Sequence, residues 1–179
     1  MRIWRLCEHA FVISPPDGVA TTVVDGGNSL IVIDGGGSRL EEIGRYIHEL
    51  RLPLGNVHVV LLHRRRTAVA RCFANAVVHF TGALATEVAA LDNGERLTML
   101  EPEDPVQVGT ARLWLSAPRP RDGASVAVVD LPTSSVASLG DWTEPPHGPA
   151  GRATWTVPAY GVPGRQPNLP SGSGLGQTA

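Results

Sequence analysis

The chain has 179 residues, enough for one domain and short for two. All 15 of its basic residues are Arg, which excludes Schiff-base chemistry on a lysine and a phosphate-binding loop of the P-loop type. A net charge of −2 gives no bulk footprint for nucleic acid, and two Cys make neither a disulfide framework nor a cysteine zinc site.

Along the chain, residues 2–7 and 9–14 read as short strands, with a turn at Pro15-Pro16-Asp17-Gly18. Val19 to Asp25 is rich in β-branched residues, and Leu30-Ile31-Val32-Ile33 is a continuous apolar run, the pattern of a buried strand. Ser38 and Glu41 have the spacing of a capping box, and Leu40, Ile43, Ile47 and Leu50 follow at helical spacing, so a helix is expected over 39–51. Pro53 and Gly55 should end it. Val57 to Leu62 reads as the next buried strand and leads into His63-Arg64-Arg65-Arg66.

A short helix is expected over 67–76, with Cys72 on its apolar side. A strand follows at Val77 to Phe80 and a small helix at 83–91. Pro105 to Val108, Ala111 to Leu115, Ser125 to Asp130 and Ser135 to Leu139 read as later strands. From Glu144 onward the chain holds 7 Pro and 7 Gly in 36 residues, with only a hint of a strand near Ala153 to Val157. The expected division is a domain over 1–160 and a disordered Pro/Gly/Ser-rich tail over 161–179. Glu8, His9 and Pro15-Pro16 interrupt the early apolar stretch, so no secretory leader is expected. No apolar run is long enough to span a bilayer, and a reduced cytoplasmic location fits the cysteine usage.

Strands outnumber the helices that interrupt them, which points to an α/β layered domain. One order of pieces is more specific. Asn28 to Gly36, a helix, then Asn56 to His63, followed by Pro118, the Ser125 to Val129 strand and Gly140-Asp141, resembles the metallo-β-lactamase superfamily over roughly residues 19–141. The resemblance implies an αββα two-sheet sandwich, shortened here in its C-terminal half, with a site on loops at one edge.

In that family the strand ending in the first ligand carries His-x-His-x-Asp-His, which converges several ligands on zinc from one tight loop. The same six positions here are His63, Arg64, Arg65, Arg66, Thr67 and Ala68, so one ligand remains. The later Pro-Gly-His becomes Pro118-Arg119-Pro120. Asp141 matches the bridging carboxylate, and His147 is a candidate for the last His although it arrives early. Asp34 matches an aspartate that braces the ligand loop. His63, Asp141 and His147 are thus the residual metal candidates, and His63 and Asp141 the catalytic ones. Guanidinium groups beside a cation repel it, by on the order of 4 kcal/mol per charge pair at about 4 Å in a dielectric of about 20.

No metal is therefore expected, with zinc the alternative. The expectation is a non-catalytic binding or assembly subunit, with Arg64, Arg65 and Arg66 binding an anion or replacing the metal's charge beside Asp141. The rival is a metal-dependent hydrolase of an ester, thioester or phosphodiester. A protein partner or self-association is expected, no membrane contact is, and nucleic acid enters only through the Arg trio. With little sequence left after Asp141 to cover the second sheet, an exposed apolar sheet face is also expected.

Overall fold

The structure is a computed structural model. It describes residues 1–16, 18–34, 40–63, 69–73, 75–91, 96–101, 104–119, 124–140 and 152–166. Seven strands, β1 (Arg2–Cys7), β2 (Ala10–Ser14), β3 (Thr21–Asp25), β4 (Leu30–Ile33), β5 (Val57–Val60), β6 (Val77–Phe80) and β7 (Arg96–Met99), form one sheet in sequence order. The second sheet is built from β8 (Val106–Val108), β9 (Ala111–Arg119), β10 (Ala124–Asp130), β11 (Ser135–Gly140), β12 (Trp155–Pro158) and β13 (Gly164–Arg165).

The first four strands are antiparallel. β4 through β7 are parallel because helical crossovers return the chain to the same end each time. All four residues of β4 are fully buried, as its unbroken apolar run requires of a strand covered on both faces. Ile31 and Ile33 face the second sheet across a shared core with Val60, Leu62, Leu113, Leu115, Ala127 and Val129. Leu30, Val32, Val59 and Val78 point outward and are covered by α1 (Leu40–Glu49) and α2 (Ala85–Ala89).

Helix α1 buries Ile43 and Ile47, as its spacing predicts, and carries Glu41 and Glu42 in its first turn, where they oppose the helix dipole. Its end does not need the downstream glycine. Arg51 takes the left-handed conformation at φ 55°, and Leu52 N–H donates to the Ile47 carbonyl while Arg51 N–H donates to His48. This is the Schellman arrangement, closed by Leu52 packing on the outer core. The proposed Ser38 cap lies outside the described residues.

Several expectations change. Residues 96–99, to which no strand is assigned from sequence, form β7. The small helix at 83–91 is a 3-10 turn, Gly82–Leu84, running into α2. Residues 69–72 form 3-10 turns, and Cys72 is exposed instead of core. The outer face of the second sheet is not open: Val126, Val128 and Ala137 are at most 3% accessible and cluster with Leu139 and Ala153. The second sheet also runs past residue 160, since β13 pairs with β12 and Gln166 N–H donates to the Thr154 carbonyl. Residues 167–179 lie outside the described residues.

Candidate functional site at the strand-end rim

The sandwich is tied together along one rim by backbone hydrogen bonds between elements. Asp34 N–H donates to the Val60 carbonyl at 3.0 Å, Leu61 N–H to His79 at 3.0 Å, and Ser125 N–H to Leu62 at 3.0 Å. Ala20 N–H donates to Ala159 at 2.8 Å, and Ala159 N–H to Gly140 at 2.9 Å. These are the C-terminal ends of β4, β5, β6 and β11, so residues that follow these strands emerge together.

Asp34, just past β4, is buried and holds φ 54°, a left-handed backbone that a short polar side chain tolerates. His63 is half-buried, immediately after Leu62. Gly140 ends β11 at φ 55°, and a Cβ there would press on Leu62 Cβ at 3.2 Å and the Ser125 carbonyl oxygen at 3.3 Å. The glycine thus lets the end of β11 close onto Leu62, the residue before His63. Asp34, His63 and Gly140 are brought to one rim. Arg64, Arg65, Arg66, Asp141 and His147 lie outside the described residues. Among the described residues no three His, Cys, Asp or Glu side chains gather into a group that could hold a metal.

The inner face holds polar side chains that the sequence reading did not single out. His58 Nδ1 and His79 Nε2 are 2.9 Å apart. The ring planes lie within 7° of parallel and the centroids are 5.2 Å apart. That separation exceeds the N···N distance by about two ring radii, so the imidazoles meet edge to edge in line and share one proton. His79 is 2% accessible, and its Nδ1 has no hydrogen-bond partner among the described residues. Burial first, and His58 second, lower its pKa to about 4, while burial also lowers that of His58. Two residues nearer the rim, Thr81 Oγ1 and Ser125 Oγ are 3.0 Å apart across the two sheets. Strand parity alone could have found both histidines, since each breaks an apolar strand on the face shared with Val60.

No protein-family model matches the chain, and no curated protein matches it. Solved structures do. A metallo-β-lactamase from Cronobacter sakazakii named for a HARLDQ motif superposes with a TM-score of 0.72 at 13% identity, covering 89% of this chain and 80% of that one. The class B3 di-zinc metallo-β-lactamase LRA-12 from an Alaskan soil metagenome gives 0.68 at 13%, covering 89% and 78%. The flavodiiron protein from Giardia intestinalis gives 0.70 at 11%, covering 93% of this chain and 56% of that one. At such identities the likeness concerns the backbone. Two mixed sheets joined face to face, with the ends of β4, β5 and β11 gathered at one rim, give this chain the metallo-β-lactamase-superfamily fold.

Proposed function

We propose that this chain is a catalytically inactive metallo-β-lactamase-like protein that serves as a binding or assembly subunit in the cytoplasm, holding a protein partner or an anionic ligand. The supporting observation is the sequence His63-Arg64-Arg65-Arg66-Thr67-Ala68, whose first residue stands at the rim. Catalytic zinc takes three protein ligands and an open position, and this hexad supplies one nitrogen donor. The HARLDQ motif in the name of the Cronobacter enzyme sharpens the contrast. Written over the same six positions, it shares His63 and Arg65, but its Asp stands where this chain has Thr67 and its Gln where this chain has Ala68. An Arg at the third position is thus found in a protein called a metallo-β-lactamase. The added loss of the Asp is what removes the donor set here.

Asp141 would then be neutralised by a guanidinium of Arg64, Arg65 or Arg66, which carries a permanent charge and two parallel donors. The same trio would receive an anionic ligand.

The second reading is a hydrolase of an ester, thioester or phosphodiester. The convergence of Gly140 on Leu62 favours it, because these two residues immediately precede Asp141 and His63 in sequence. His63, Asp141 and His147 would hold one zinc, which when bound would acidify a water, and Arg65 would grip the substrate's negative charge.

Metal content separates the two. Protein purified without chelator is expected to carry substoichiometric zinc, iron and manganese, with His63→Ala making no difference. Near one metal per chain, lost in His63→Ala, would overturn the inactive reading.

A further inference from the structure

The two sheets have four edge strands, and three carry devices that discourage another strand from adding. Along β1, Arg2 and Arg5 are exposed, the pairing register shifts between Arg5 and Cys7, and Arg5 donates to the Cys7 and Glu8 carbonyls. β13 is two residues long. β8 is three, and Gln107 folds back to donate to the Gly109 carbonyl. Short strands, bulges and edge charges are the usual protections. β7 differs in degree: it is short and begins with an exposed Arg96, but it has no proline and no bulge in its pairing with β6, and apolar Leu97 and Met99 alternate along it. Leu97 and Met99 are 43% and 53% exposed.

Its backbone and side-chain patterns agree on what would fit. Arg96 N–H donates to the Ala76 carbonyl and Leu100 N–H to Phe80, so the even-numbered amides of β7 turn toward β6. By alternation, Leu97 and Met99 turn their N–H and C=O groups to the open edge. Both side chains stand on the outer face, beside Val78 and Phe80, while Thr98 stands on the other.

From this we propose that two copies of the chain join through β7, antiparallel about a two-fold axis through Thr98. The proposal rests on the assembly reading above and names its surface. In this register Leu97 of each copy faces Met99 of the other, and these are the residues with outward backbone groups. Each such pair exchanges two hydrogen bonds, and the four apolar side chains meet on one face. A shift by one residue in either direction would set outward-facing groups against inward-facing ones, so the strand is complementary to its own copy in this register.

Light scattering at micromolar concentration is expected to give twice the chain mass, and Leu97→Lys, an exposed position, the mass of one chain with an unchanged circular dichroism spectrum. Thr98→Cys in a Cys72→Ser background adds a gain of signal that misfolding would not reproduce. Opposed residues at a non-hydrogen-bonded site have Cα atoms about 4.5 Å apart, within disulfide reach, so oxidation should link two chains and thiol should release them. A wild-type protein of one-chain mass would overturn the proposal. So would a two-chain mass that survives Leu97→Lys without a Thr98 link; assembly would then use another face and the broader reading would stand. Metal content is read separately, so failure here leaves the inactive reading undisturbed.

Discussion

The two ends of the sandwich are closed by different means. At the end away from the rim, the β3–β4 turn meets the β8–β9 turn backbone to backbone: Thr110 N–H donates to the Gly26 carbonyl, and Gly109 sits at φ 58° with no space for a Cβ against that same oxygen. At the rim, two backbone hydrogen bonds (Ser125 to Leu62 and Ala20 to Ala159) and a buried hydroxyl pair cross between the sheets, and a Cβ on Gly140 would meet its neighbours at 3.2 and 3.3 Å, tight but short of the clash at Gly109. One end has a main-chain approach that leaves no room for a Cβ, with the Ser134–Cys7 contact beside it. The other distributes its contacts, which leaves side-chain positions free for Asp34 and His63.

The largest test of that contrast is Gly109→Ala. Left-handed strain adds to a clash with backbone, so a loss of about 3–4 kcal/mol is expected from denaturant midpoints at neutral pH. Gly140→Ala has the strain without a comparable clash, and about 1–2 kcal/mol is expected. A reversed order would break the comparison.

Next in size is the acid response of the inner face. The pKa of His79 is lowered from 6.5 to about 4, so the unfolded chain takes up the proton first. The stability this neutral histidine permits is complete above pH 6.5 and is lost as pH falls from 6.5 toward about 4. The loss approaches about 3 kcal/mol at the acid end. With both rings protonated, two N–H groups would oppose each other across 2.9 Å. Urea unfolding at a series of pH values should show this slope, and His79→Gln should flatten it relative to the parent protein. An unchanged slope would show that other groups set the acid response.

The smallest effect concerns the hydroxyl pair at the rim. Thr81→Val leaves Ser125 Oγ buried without its partner and should cost about 1 kcal/mol. Adding Ser125→Ala should then cost less than it does alone, because the orphaned group is removed. Strict additivity of the two would mean that the hydroxyls do not interact.

The central part of the first sheet was legible because burial on both faces forces unbroken apolar runs such as Leu30 to Ile33, and α1 because its stripe of Leu40, Ile43 and Ile47 has no competing period. β7 was not legible. Arg-Leu-Thr-Met lacks a β-branched run, and it is a strand because β6 offers a template, not because of its own preferences. β12 gave only a hint, and β13 none, because both sit in Pro- and Gly-rich sequence where pairing with β11 decides the outcome. Strand parity marks His58 and His79 as polar positions on the inner face, but that they meet each other, and that Thr81 meets Ser125, follows only from how the strands align. Most of the site expectations, from Arg64 to Arg66 and at Asp141 and His147, fall outside the described residues.

The rim's hydrogen bonds also bear on the order of assembly. Ala20 is bonded to Ala159, and Thr22 Oγ1 donates to Ser138 Oγ across a sequence separation of 116 residues. At the opposite end, Ser134 Oγ donates to Cys7 Sγ at a separation of 127. Such closures come late, since their loop entropy must be met before any contact repays it, and folding rates fall as such contacts accumulate. While the chain is being synthesised, β1 to β6 can pair well before β10 to β12 exist. During that interval the inner face of the first sheet, Ile31, Ile33, Val60 and the His58–His79 pair included, stands open to water. The rim is therefore the last part of the molecule to be written by folding, and the first sheet must remain soluble without it.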